Sequence, residues 1–158
     1  MLSRLALWLG QFTVGPFAMA VRALLAPFAL GAHGLLVDES GRVGLVRHSY
    51  RAGWSLPGGG VARGEPPVAA VMRELGEELG DVQSDPPRFF GLYTRRAGWA
   101  TNVMVLYLLT NARVRFRPNL EVREIIFVDP AAPPPGTSPG TLRRLAEFVG
   151  KTPLNPYW

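Results

Sequence analysis

Residues Gly58 to Gly80 read GGGVARGEPPVAAVMRELGEELG, and the second half of this stretch decides how the rest of the chain is read. Glu74, Glu77 and Glu78 stand at i, i+3 and i+4, so at about 100° per residue a helix brings their carboxylates onto one face. Val68, Met72, Leu75 and Leu79 fall on an arc roughly 100° to 160° from Glu74, which predicts a helix that buries one side and shows the acids on another. Pro66 and Pro67 suit the first turn, whose amide groups have no helical partner. Gly80 suits the stop, because glycine accepts the left-handed conformation just past a helix end.

Two local rules are broken within this helix. Glu74 and Glu78 are like charges at i, i+4, a spacing that costs a few tenths of a kcal/mol. Glu77 and Glu78 also occupy the last turn, where the helix dipole disfavours anions by roughly 0.3–1 kcal/mol. Conflict of this kind points to function. A divalent cation held by hard oxygen ligands, Mg2+ or Mn2+, reverses both penalties. A solvated acidic patch is the other reading, and the helix alone does not separate the two.

Composition narrows the chemistry. A chain of 158 residues suits one domain with a real core. The absence of cysteine removes disulfides, zinc-thiolate sites and thiol nucleophiles together, and fits a reducing compartment. Two histidines, His33 and His48, are too few for most histidine-rich metal sites, which leaves oxygen ligands. The net charge is +5, and every basic residue except Lys151 is an arginine. Arginines spread along the chain are compatible with an anionic substrate, but without a basic stripe they do not predict nucleic-acid binding.

Residues 1–29 are apolar, with Arg4 and Arg22 their only charges. The run from Leu5 to Val21 is short for a membrane span and is broken by Gly15-Pro16. With no clean secretory pattern, a cytoplasmic protein is expected. The segment is expected to be a helical extension that packs on the domain or on a second subunit, as in a homodimer. Membrane contact through an interfacial helix is the less favoured reading, because such helices usually carry more basic residues.

Residues 30–158 form the domain. Ala32 to Val37 and Arg42 to Arg47 flank the turn Asp38-Glu39-Ser40-Gly41, a hairpin pattern. Arg88 to Arg95, Asn102 to Thr110, Arg113 to Arg117 and Glu121 to Asp129 read as further strands, the second of them apolar enough for burial on both faces. Leu142, Leu145, Ala146 and Val149 mark a closing helix after Pro133-Pro134-Pro135-Gly136. Strands before and after a central helix predict an α/β fold, an α/β/α sandwich with a mixed β-sheet.

Read in full, the opening stretch resembles the signature of the Nudix hydrolases: Gly59, Glu65, Arg73-Glu74, Leu75, Glu77-Glu78 and Gly80 stand at the family's spacing. Asp81 departs from the apolar residue usual at the last position, with Val82 one step late. Trp54 to Gly60 resembles the usual lead into the motif, and Glu121 to Asp129 resembles the family's late strand. The likeness covers residues of about 30 to 149 and leaves 1–29 outside.

The resemblance implies a Nudix-like fold and a hydrolase that cleaves the diphosphate linkage of a nucleoside diphosphate derivative with Mg2+ or Mn2+. It implies Glu77 and Glu78 as core metal ligands, Glu74 as ligand or general base, and the Gly58 carbonyl as a further ligand. Arg73 and Glu65 are implied as an orienting pair, with Gly59 supporting the turn. From EVREIIFV, Glu121 or Glu124 is a further ligand or base, or else an exposed strand residue; Glu121 is preferred. Arg47, Arg51, Arg95 and Arg96 are candidates for phosphate, and Trp54, Tyr93 or Trp99 for stacking on a base.

Subfamily markers do not narrow the substrate. The proline that ADP-ribose enzymes tend to carry would fall near Arg96-Ala97, and the tyrosine of dinucleoside polyphosphate enzymes close to Trp99. No coenzyme A or NADH type of extension is present. Two alternatives stay open: a non-catalytic Nudix-fold nucleotide-binding or regulatory protein, and an RNA cap or 5′-end pyrophosphohydrolase.

Overall fold

The computed structural model describes residues 28–158. Of the extension expected over 1–29, residues 1–27 lie outside the described residues, while Phe28 and Ala29 open the first strand. In chain order the strands are β1 (Phe28–Leu36), β2 (Val43–His48) and β3 (Gly58–Gly60), followed by helix α1 (Pro67–Leu79). Then come β4 (Gly80–Gln83), β5 (Arg88–Ala97), β6 (Ala100–Leu109), β7 (Arg113–Phe116), β8 (Val122–Val128) and α2 (Pro139–Phe148).

A four-stranded mixed sheet runs β3-β1-β6-β5, with β1 parallel to β6 and the other pairs antiparallel. Period-two alternation along β1 sends Ala32 and Leu36 to one face and Leu35 and Val37 to the other. The first face packs under α1 against Val71, Leu75 and Leu79, and the second meets Leu45, Leu56, Leu106 and Leu145 of α2. Gly34 lets α1 come close, since a Cβ there would sit 3.2 Å from a Leu75 methyl. The sheet is thus covered on both faces, as the pattern predicts.

The expected hairpin is only half right. Val37 and Val43 bridge across the Asp38 turn, but beyond it β2 leaves β1 and pairs antiparallel with β8. Local alternation identifies strands and turns, whereas partner choice depends on which distant strand offers an apolar face. Here β8 supplies Ile125 and Phe127, the latter filling the space beside Gly44.

The buried stripe of α1 also differs from expectation. Val68 and Met72 are exposed, and Ala70, Val71, Leu75, Glu78 and Leu79 are buried. Val71, Leu75 and Glu78 follow i, i+4, i+7, so the stripe that meets the sheet includes one of the three acids. After the helix the chain enters β4, a strand the pattern did not predict, with Gly80 at φ 89°; Val82 pairs with Val114 of β7 while Asp81 stays exposed. The apolar role that Asp81 does not fill passes to Val82, which packs against the core.

α2 is fastened by a buried polar cluster. Arg144 is fully buried, 2.6 Å from Glu147 and 3.8 Å above the Tyr93 ring, while Tyr93 donates to Glu147 at 3.0 Å. The same arginine donates to the Tyr157 carbonyl, and Asn155 N–H donates to Glu147, so residues 155–158 are strapped along β5. This strap puts Trp158 5.2 Å from His33 in a stacked arrangement.

Candidate active site

β3 forms because three glycines lie antiparallel to β1, with His33 opposite Gly58 and Ala32 opposite Gly59. At Gly58, φ is 128° and a Cβ would fall 2.3 Å from the Ala32 carbonyl oxygen. At Gly59 a Cβ would fall 2.3 Å from Glu74 Oε2. Both positions therefore need glycine, the first for backbone conformation and the second for the close approach of a carboxylate.

Arg73 organises the acids that flank this strand. Its guanidinium donates to both Glu65 oxygens at 2.9 and 3.0 Å, to the Gly60 carbonyl at 2.9 Å, to Glu74 at 2.9 Å and to Glu77 at 3.1 Å. Glu65 also accepts from the Ala62 N–H, and the Arg73 hydrogen bond first and this one second push its carboxyl down to about 2. The planar fork of arginine serves two partners at once, which an ammonium group does not do with the same directionality.

Glu78 is the exceptional group. Only 2% exposed at the end of α1, it accepts from the Gly58 N–H at 2.8 Å, and its other oxygen lies 3.8 Å from His48 Nε2. Burial pushes its carboxyl up to about 8, and Glu121, Glu74 and Glu77 push in the same direction against the Gly58 hydrogen bond. His48 is pushed down, by burial first and then by Arg51, so it brings no cation to Glu78. A buried carboxylate ringed by three others is short of positive charge.

Asn119 ties the opposite wall to this helix end. Its amide donates to the Glu78 carbonyl at 2.9 Å and the Glu77 carbonyl at 3.2 Å, while its oxygen accepts from the N–H groups of Glu121 and Val122. That satisfies orphan carbonyls of the last turn and sets Glu121 beside the acids of α1. Glu124 is engaged elsewhere, paired with Arg47 on β2.

Among the described residues, no three histidine or acidic side chains already converge at metal-ligating separation. Arg73 holds Glu74 and Glu77, and the Gly58 N–H holds Glu78. The donors nonetheless suit a hard divalent cation: they are carboxylate oxygens, one is buried without a countercharge, and no thiolate or paired imidazole competes.

Next to Gly58 opens a cavity of about 590 Å³, bounded by His33, His48, the Asn102 end of β6 and the first turn of α2. Arg51 and Arg95, two of the arginines expected to bind substrate, line it, and Arg143 joins them from α2. Arg47 instead lies over Trp54 at 5.2 Å, and Arg96 donates to the Gly98 carbonyl in the β5–β6 turn; neither these residues nor Trp54 line the cavity. Tyr93 is in the core and Trp99 is exposed in that turn. Asn119 and Arg143 were not among the expected site residues. Nothing local marks either, because each matters only through the element packed against it.

The NUDIX domain family matches residues 27–147, most of the chain, so the chain belongs to that family. Among solved structures it is similar to a MutT NUDIX hydrolase from Burkholderia pseudomallei, with 25% identity, a TM-score of 0.65, and coverage of 75% of this chain and 95% of that one. It shares its fold with a MutT protein from Methanosarcina mazei Go1, at 23% identity and a TM-score of 0.63, covering 80% of this chain and 95% of that one. Among curated proteins it is similar to an RNA pyrophosphohydrolase of Francisella tularensis subsp. tularensis (strain WY96-3418), 44% identical over 46 residues. That similarity spans 29% of this chain and 30% of the relative. Divalent metals are generally used in the family, and no helix among the described residues is long and apolar enough to cross a membrane.

Proposed function

We propose that the protein is a metal-dependent pyrophosphohydrolase that cleaves the diphosphate linkage of a nucleoside diphosphate derivative in the cytoplasm. The observation that carries this reading is Glu78: a buried carboxylate with Glu74, Glu77 and Glu121 around it and a nucleotide-sized cavity beside it. Such a cluster destabilises the fold without a cation and becomes a binding site with one.

Mg2+ or Mn2+ would be held by Glu78, Glu77 and Glu74, with the Gly58 carbonyl and Glu121 as further donors. When bound, the ion neutralises the diphosphate and acidifies water for attack on phosphorus. The chain's own groups do the rest. Arg73 and Glu65 hold Glu74 and Glu77 in place, Asn119 holds Glu121 beside the acids of α1, and Glu74 serves as a ligand or as the base that takes the proton of the attacking water. Gly59 leaves room for that carboxylate.

A second reading, hydrolysis at the 5′ end of RNA, is favoured by the similarity to a protein named RNA pyrophosphohydrolase. Turnover of nucleotide sugars, dinucleoside polyphosphates, nucleoside triphosphates and 5′-triphosphorylated RNA, each with Mg2+ or Mn2+, separates the two. Glu77→Gln is expected to cut activity at least about 100-fold on whichever substrate is used. Equal activity in variant and wild type would remove the carboxylates from the mechanism, and no turnover of any substrate would favour a binding protein.

A further inference from the structure

The cavity beside Gly58 carries a charge pattern that diphosphate cleavage alone does not require. Three arginines line it, Arg51, Arg95 and Arg143, and no aspartate or glutamate does. Arg42, Arg47, Arg73, Arg113 and Arg144 are each paired with a carboxylate, and Arg63, Arg88, Arg115, Arg117 and Arg123, unpaired among the described residues, do not line this cavity. The three cavity arginines make neither an ion pair nor a side-chain hydrogen bond among the described residues, so their guanidinium groups are available to a ligand.

Two further features of the lining suit an anion. Ser138, Gly140 and Thr141 bring the N-terminal turn of the ten-residue α2 to the wall; its Thr141 N–H is capped by Ser138 Oγ, so the turn contributes its dipole, which favours negative charge. Asn102 adds an amide from β6. The opposite border is Gly58, whose N–H is committed to Glu78. At Gly58 the cavity adjoins the acids of α1, suited to a cation and the phosphorus under attack, while its own lining is basic and suited to a different anionic group.

We propose that the arginine end binds a second phosphate of the substrate, remote from the diphosphate that is cut. The preferred substrate is then a nucleotide with a phosphate on its ribose in addition to the 5′-diphosphate. This inference rests on the pyrophosphohydrolase reading for the acidic end and adds the substrate class. The second phosphate comes from a free ribose-phosphorylated nucleotide, as a dianionic monoester, or from the first internucleotide linkage of a 5′-triphosphorylated RNA, as a monoanionic diester; both offer non-bridging oxygens to the guanidinium groups. A neutral sugar at this end leaves three cations without a partner.

Two matched pairs test it in turnover. Coenzyme A differs from dephospho-coenzyme A by a 3′-phosphate, and the triphosphorylated dinucleotide pppApA differs from ATP by a 3′-linked nucleotide. At least one pair is expected to show kcat/KM about 10-fold or more in favour of the member with the extra phosphate, mainly through KM, and which pair does so identifies the source. In Arg95→Ala/Arg143→Ala, both exposed positions, the ratio is expected to fall toward one.

Binding without metal supplies a readout independent of catalysis. Calorimetry with adenosine 3′,5′-bisphosphate and AMP is expected to show about 10-fold tighter binding of the bisphosphate by wild type, and no such preference in the double variant. Equal affinity for the two nucleotides in wild type, or a preference that the double variant keeps, overturns the inference whatever the enzyme hydrolyses. A preference lost in the variant, in a protein that turns over nothing, upholds the phosphate site and overturns the hydrolase reading alone.

Discussion

Replacing Glu78 by glutamine tests the charge deficit at the centre of the site. In the metal-free protein, burial and then the neighbouring acids raise this carboxyl from its ordinary 4.5 to about 8. Between those values the folded state keeps a proton that the unfolded state gives up. Unfolding then releases a proton, so stability falls as pH rises through the window and levels off above about 8. His33 and His48, both pushed down, act in the opposite direction, losing stability as pH falls below 6.5. The interval from pH 6.5 to 8 therefore isolates Glu78.

Each pH step is worth about 1.4 kcal/mol per proton released, so this interval carries a ceiling of roughly 2 kcal/mol. In a domain of this size that corresponds to a fall of about 4–8 °C in Tm. Thermal unfolding in chelator at pH 6.5 and 8 is expected to show it. Glu78→Gln, which keeps an acceptor for the Gly58 N–H, is expected to flatten the slope and to unfold at the higher temperature at pH 8. Mn2+ is expected to raise the wild-type Tm more at pH 8 than at pH 6.5, and to do little for the variant. A wild-type Tm that is flat over this interval, or a variant with the same slope, refutes the assignment of Glu78 as an uncompensated buried carboxylate.

Two further substitutions probe the packing around the site. Gly59→Ala puts a methyl against Glu74 Oε2 at a backbone conformation that alanine tolerates, so the carboxylate must turn away; we expect kcat to fall about 10- to 100-fold while Tm moves by less than about 3 °C, measured by steady-state kinetics and circular dichroism. Arg144→Ala strands Glu147 and the Tyr93 hydroxyl in the core and releases the 155–158 strap. Denaturant unfolding is expected to show a loss of about 3–5 kcal/mol, and a loss under about 1 kcal/mol would mean that the cluster does not hold α2.

Much of this site is legible in the chain because its chemistry is local. Glu65, Arg73, Glu74, Glu77 and Glu78 lie within one strand-turn-helix segment, and helical spacing alone brings the last four together. Glycine at 58 and 59 likewise announces a backbone that comes too close to its neighbours for a side chain. Burial is not written in the local pattern. Alternation and helical period identify an amphipathic helix but not the angle at which it meets a sheet, and that angle exposed Met72 and buried Glu78.

The sequence by itself determined the family, six of the eight strands with both helices, and the acids gathered on α1; β3 and β4 were not among the expected strands. Those follow from short-range spacing, which survives without knowledge of any distant partner. Only the tertiary structure decided that Glu78 is the buried member of the acidic group and that Asn119 presents Glu121 to it. It alone showed which arginines are paired with acids and that three others face one cavity. Burial and ion pairing depend on residues such as Glu124, 77 positions from Arg47, and chain-local patterns carry no record of such contacts.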